Sequence, residues 1–256
     1  MLSNYLFFYI FMNLDPISGK AADLAPMSSI SENLQWVRER IERASARAGR
    51  DPEEITLVAV SKTRTPQEIQ EALSFGVRIL GENRVQEANE KVTLIQAPVS
   101  WHLVGHLQRN KAKTAVSLFG MIHSVDSVRL AKEIGTQASQ VGHRANVLVQ
   151  VNTSGEVSKF GVTPDRVMDL VEQISEIQGL DVCGLMTMGA FTSDPEDVRP
   201  SFASLRKARD RIAQAGFRGV SMGHLSMGMT NDFEVAIEEG STMVRIGTAI
   251  FGPRSN

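Results

Sequence analysis

From Ser29 onward the chain alternates short apolar runs with stretches whose apolar residues recur at helical spacing. The first such stretch, 29–48, carries Ile30, Leu34, Val37, Ile41, Ala44 and Ala48 on one face. Ser29 and Glu32 form a capping box at its start, and Gly49 is placed to end it. ITLVAV (55–60) then reads as a strand buried on both faces. Thr65, Pro66 and Glu68 open a helix with a cap, an N1 proline and an N3 acid. Further strands are predicted at VRIL (77–80), SWHLV (100–104), MIHSV (121–125), NVLVQV (146–151), LDVCGLMTM (180–188), GVSMG (219–223) and TMVRIG (242–247). Helices fall between them. One is opened by Asn83 and Gln86, one lies near 109–118, and one is capped by Asp126. Another runs from Thr163-Pro164 to about Gly179, and a charged one from Asp194-Pro195 to about Ala215. A short one is capped by Asn231 and Glu234 and ends at Gly240.

Eight strands alternating with helices, with no linker between them, predict an α/β fold: a single (β/α)8 TIM-type barrel with an extra N-terminal helix. An open doubly wound sheet is the alternative. Against it, no G-x-G-x-x-G follows the first strand.

Composition narrows the function classes. The chain has 256 residues, 42% of them hydrophobic, and a formal net charge of −2 with both signs interspersed. It has no basic stripe for nucleic acid and no Lys/Arg cluster for a membrane surface. The single cysteine, Cys183, sits in an apolar run and reads as a buried small hydrophobe, which suits a reducing compartment. Residues 1–26 stand apart. Their apolar run, Tyr5–Met12, is too short to span a bilayer, and the first basic residue is Lys20, unlike a secretory signal. They are read as a disordered, dispensable extension or an over-called start, with the barrel domain at 27–256.

In such a barrel the chemistry gathers at the C-terminal ends of the strands. Those ends carry Lys62, Asn83, Gly105-His106, Ser124, Asn152, Thr187, Ser226 and Gly247-Thr248. Lys62 follows the first strand directly, so it is partly desolvated, which favours the neutral amine that attacks aldehydes. Alone it could equally be a lysine snorkelling to the rim. The last two loops change that balance. LSMGMTND (225–232) offers Ser226 and a flexible Gly228, and VRIGTAIFG (244–252) offers Gly247 and Thr248, both where barrels bind phosphate. Arg245 shares a face with Gly247 and points into the barrel, so it needs a partner; Glu82 is the internal carboxylate considered for it.

LVAVSKT (57–63), GENRVQE (81–87), WHLVGHLQRNK (101–111), IHSVDS (122–127), GLMTMG (184–189), LSMGMTND (225–232) and VRIGTAIFG (244–252) together resemble the YggS/PROSC family. These are the pyridoxal 5′-phosphate (PLP) homeostasis proteins, which bind PLP. The resemblance covers the chain from about Ser28 onward. It implies the barrel of the alanine racemase N-terminal domain without the racemase's second β-domain. It implies a Schiff base between PLP and Lys62, with Asn83 near the ring or its hydroxyl. It places Ser226, the Met227 backbone, Gly247 and Thr248 on the phosphate, and Arg245 against the pyridine nitrogen. Thr230 stands where serine is common in the family.

The residues also bear on carrier against enzyme. An arginine at the ring nitrogen keeps that nitrogen unprotonated and weakens the electron sink that carbanion chemistry needs. Barrel racemases use a tyrosine from the partner's second domain as the opposing base. Here Tyr5 and Tyr9 are the only tyrosines, and none follows Met27. The expectation is a monomeric cytoplasmic PLP carrier or regulator without efficient catalysis, with apo PLP-dependent enzymes as candidate recipients. The alternatives are a racemase-like PLP enzyme acting on small amino acids, or a Schiff-base aldolase barrel without PLP. His102 and His106 form H-x-x-x-H without the glutamate of a zinc protease, so no metal is expected.

Overall fold

The computed structural model describes residues 29–253 apart from 157, 190, 191 and 193. The expected N-terminal extension lies outside them. Eight parallel strands close into a barrel in chain order. They are β1 (Thr56–Val60), β2 (Ile79–Glu82), β3 (Ser100–Leu103), β4 (Met121–Val125), β5 (Ala145–Gln150), β6 (Leu180–Met186), β7 (Val220–Ser226) and β8 (Met243–Ile246). The closing seam pairs Val58 with Arg245 and Ala59 with Ile246. The closed barrel excludes the open sheet.

The helices are α1 (Ile30–Arg47), α2 (Pro66–Ser74), α3 (Val85–Leu94), α4 (Ala112–Leu118), α5 (Val128–Gln140), α6 (Val167–Ser175), α7 (Arg199–Ala215), α8 (Phe233–Glu238) and α9 (Thr248–Phe251). The capping boxes at Ser29/Glu32 and Thr65/Glu68 are both formed. Three other caps differ from expectation. α3 starts from Arg84 with no side-chain cap, so Asn83 stays outside the helix. α5 is capped by Ser127, whose hydroxyl accepts from Leu130 N–H, rather than by Asp126. α8 starts from Asp232, one residue later than Asn231. Strand β7 also runs on to Ser226, past the expected stop at Gly223. The apolar face of α1 packs on α8, α9 and α2. It thus covers the outside of the barrel where the four-residue α9 is too short to do so.

Period-2 alternation sorts the strand residues. Leu57 and Ala59 join the outer core under the helices, whereas Val58 and Val60 cluster with Ile79 and Val104 inside the barrel. Met121, Leu148, Met186 and Met243 form a second interior cluster. Among the described residues, no helix is long and apolar enough to cross a membrane. Nor does any group of three or more His, Cys, Asp or Glu among them stand ready for a metal ion.

Candidate functional site

Lys62 continues the inward parity of Val58 and Val60, two residues past the end of β1, and is half-buried. It sits in a tight turn closed by Arg64 N–H on Ser61 O at 3.0 Å. The next residue, Thr63, has φ +64, an uncommon conformation for a β-branched residue. Asn83 follows β2 with the parity of Ile79 and Gly81 and is half-buried. The backbone of Gly105 presses against it: a Cβ on Gly105 would lie 2.3 Å from Asn83 O.

On the other side of Lys62 lie β8 and β7. Arg245 is buried inside the barrel. Its Nη1 donates to Ser226 Oγ at 2.6 Å and its Nη2 to Thr187 O at 2.7 Å. Both acceptors are neutral. Glu82, the alternative partner for an internal ion pair, is not bonded to it: Glu82 lies on the outer face of β2 and meets Lys91 at 2.8 Å. Burial lowers the Arg245 guanidinium to about 10, with Asp232 the nearby charge that opposes the fall. Asp232 itself is pushed up by burial, and its Oδ1 accepts from Met229 N–H at 2.6 Å.

Ser226 Oγ also lies 3.0 Å from His123 Nδ1, and His123 Nε2 lies 3.0 Å from His102 Nδ1. A guanidinium can only donate, so Ser226 accepts from Arg245 and keeps its own proton available for His123 Nδ1. With that proton directed at Nδ1, the tautomer of His123 that carries Nε2–H donates to His102, an arrangement that satisfies the chain with both rings neutral. Burial holds His102 down at about 4 and His123 well below its ordinary range, with His224 adding to both falls and His102 and Arg245 adding to that of His123. Thr187 extends the network outward, its hydroxyl donating to Val151 O and meeting Thr153 Oγ1, each at 2.8 Å.

Of the residues expected on a phosphate, Ser226 is thus already bound to Arg245 and His123. Met227 is buried outward, and its N–H donates to Met243 O at 3.1 Å. Gly247 opens α9 and Thr248 is its exposed first residue. First-turn N–H groups have no acceptor within their helix. A Cβ on Gly247 would come within 3.2 Å of Val60 O, so β8 presses on β1 just before Lys62. Lys62, Asn83 and Gly247-Thr248 therefore follow β1, β2 and β8, Ser226 ends β7, and these four neighbouring strands bring them to one arc of the barrel. The other strand ends lie off it. Asn152 Nδ2 donates to Glu156 O at 2.8 Å within its own loop, and His106 stacks on Phe160 at 4.0 Å between ring centres. Ser124 Oγ is buried without a hydrogen-bond partner among the described residues.

Two features were missed from the sequence. The His102–His123 couple joins residues of adjacent strands that no local spacing connects. The Lys91 cluster was foreshadowed only by Glu87 and Lys91 at i,i+4.

The alanine racemase N-terminal domain model matches residues 29–255. A pyridoxal phosphate homeostasis protein of Aquifex aeolicus (strain VF5) is 44% identical over 224 residues, covering 87% of this chain and 97% of that protein. Its counterpart in Escherichia coli (strain K12) is 41% identical over 232 residues, 89% and 98% of the two chains. The structure of PipY of Synechococcus elongatus PCC7942 with PLP bound is 32% identical, with a TM-score of 0.77 over 88% of this chain and all 100% of that one. Alanine racemase of Clostridium difficile 630, 17% identical with a TM-score of 0.68, shares the fold over 57% of its length. With the domain model matching residues 29–255 and relatives at 41–44% identity over most of both chains, the chain belongs to the pyridoxal phosphate homeostasis proteins of the alanine racemase N-terminal domain family.

Proposed function

We propose that the chain binds PLP reversibly at the barrel mouth, as a Schiff base on Lys62, and acts as a cytoplasmic carrier or regulator of PLP. When bound, PLP supplies an aldehyde that condenses with an amine, releasing water. The observation that carries the reading is Arg245: a buried cation bonded to two neutral acceptors, on the strand next to the one that leads to Lys62. Such a site suits a ligand that offers a further acceptor, as a pyridine nitrogen does. Asn83 supplies a half-buried amide on the other flank of Lys62. The donor set fits the phosphate through the N–H groups of Gly247 and Thr248. Ser226 and the Met227 backbone support that end of the site from beneath, through bonds they already make to Arg245 and β8.

Carriage rather than fast turnover is supported by the same arginine, which leaves the ring nitrogen without a proton donor of the carboxylic kind, and by the lack of tyrosine after Met27. The single cysteine agrees with a cytoplasmic setting. Purified protein titrated with PLP is expected to gain a visible Schiff-base absorbance that Lys62→Ala lacks. A panel of D- and L-amino acids is expected to give no robust turnover; sustained turnover would rule out the carrier reading and favour a racemase-like enzyme.

A further inference from the structure

Behind Lys62, on the outer side of β1 and β2, lies a buried charged cluster that none of the roles above uses. Lys91 of α3 is 7% exposed and makes three bonds. Its Nζ donates to Ser61 O at 2.6 Å, to Glu82 Oε1 at 2.8 Å and to Glu87 Oε1 at 2.7 Å. Ser61 Oγ donates to the same Glu82 oxygen at 2.7 Å. Glu87 Oε1 in turn accepts from Thr63 N–H at 2.5 Å. The cluster therefore grips the backbone on both sides of Lys62, at Ser61 and at Thr63.

The grip has a conformational counterpart. Thr63 at φ +64 is a conformation that a β-branched residue keeps only when its surroundings hold it there. The two carboxylates answer burial differently. Burial pulls Glu87 upward, but its bonds from Lys91 and Thr63 N–H outweigh this and keep its carboxyl below the usual range. Burial raises Glu82, whose second oxygen is buried without a hydrogen-bond partner among the described residues. A buried lysine shared by two carboxylates and a carbonyl, with one carboxylate oxygen left over, is an expensive way to fix a surface turn. It is a direct way to fix the residue between the two anchored peptides.

We propose that Lys91 is a positioning residue for Lys62: through Ser61 O and the Glu87–Thr63 link it sets where the Lys62 side chain leaves the backbone and how it meets the aldehyde. This rests on the reading that Lys62 binds PLP. The Lys91 amine lies on the outer side of β1 and β2, away from the barrel mouth, so it acts on the covalent step and leaves non-covalent capture alone.

The test separates those two events on the full chain. Stopped-flow absorbance follows Schiff-base formation with PLP, and equilibrium titration with pyridoxine 5′-phosphate, which lacks the aldehyde, reports capture alone. Lys91→Met is expected to slow Schiff-base formation by at least ~10-fold, toward the ~100-fold that a 1 Å misplacement costs, with the pyridoxine 5′-phosphate Kd unchanged. Glu87→Gln, which weakens only the Thr63 arm at a half-buried site, is expected to slow it less and in the same sense. If Lys91→Met forms the adduct at the unmodified rate, or loses both ligands equally, the positioning role is overturned. Should Lys91→Met fail to fold, an unchanged rate in Glu87→Gln overturns it instead. If the unmodified chain shows no Lys62-dependent absorbance, the PLP reading falls and takes this inference with it.

Discussion

Arg245 donates to Ser226 Oγ across 2.6 Å, from one barrel strand to its neighbour, and both residues are buried. The hydroxyl is the only side-chain acceptor among the guanidinium's two described bonds. Ser226→Ala therefore strands a buried N–H and a buried imidazole nitrogen together. It is expected to cost about 1–3 kcal/mol of stability, measured by urea unfolding. A cost near zero would mean that Arg245 and His123 are satisfied elsewhere.

The neutral histidine pair sets a pH dependence. Burial holds His102 at about 4 and His123 lower than its usual value, whereas both titrate near 6.5 in the unfolded chain. Below that value the unfolded state binds protons that the native state refuses. The stability these groups contribute is thus complete above about pH 6.5 and is lost as pH falls toward 4, at ~1.4 kcal/mol per pH unit for each fully neutral ring. His102→Gln should flatten the slope between pH 6.5 and 4.5 by about one proton. The check is a series of denaturant midpoints across that range.

Gly105 carries the third prediction. An added methyl would meet Asn83 O at 2.3 Å and Asn83 Cα at 2.7 Å, contacts with backbone that cannot rotate away. Gly105→Ala is expected to destabilise toward the upper end of ~1–3 kcal/mol and to weaken PLP binding by displacing Asn83. Calorimetric Tm and a PLP titration on the same sample read the two effects. A loss of stability without a loss of affinity would separate Asn83 from the site.

The fourth concerns α1. Leu34 is fully buried in the core that α1 shares with the barrel. Leu34→Ala should cost about 2–5 kcal/mol, depending on how far the helix can settle inward. Ser29→Ala, which removes the capping hydroxyl, should cost nearer ~1 kcal/mol. Chemical denaturation of the two variants beside the unmodified chain would show that ranking, or its failure.

What was legible in the sequence was local. Strands buried on both faces announce themselves as apolar runs, and Ser29 and Thr65 lie three residues before the acids that complete their capping boxes. Asn83, Asp126 and Asn231 looked equally suitable as caps, but the last peptide before each helix is fixed by where the strand lets go, and tertiary packing decided that. Strand parity could have removed Glu82 from Arg245: inward positions on β2 are 79 and 81, so 82 faces the helices. The interior relay from His102 to Arg245 was not legible, because it joins β3, β4, β7 and β8 across the barrel and depends on a register that no single segment encodes. Lys62 and Arg245 were individually visible, while the bonds that fix them came from residues far away in the chain.

The seating of α1 also dictates a schedule. Asn33 donates to Ile250 O, an acceptor 217 positions downstream, and the same helix leans on α8 and α9. On a ribosome, the partners of this earliest segment are made only with the last βα units, so its native contacts await synthesis of almost everything else. Partial chains can pair neighbouring strands as they appear, but none short of β8 can close the ring or shelter Leu34. Ring closure and the seating of the opening helix thus depend on one and the same unit, the last βα pair.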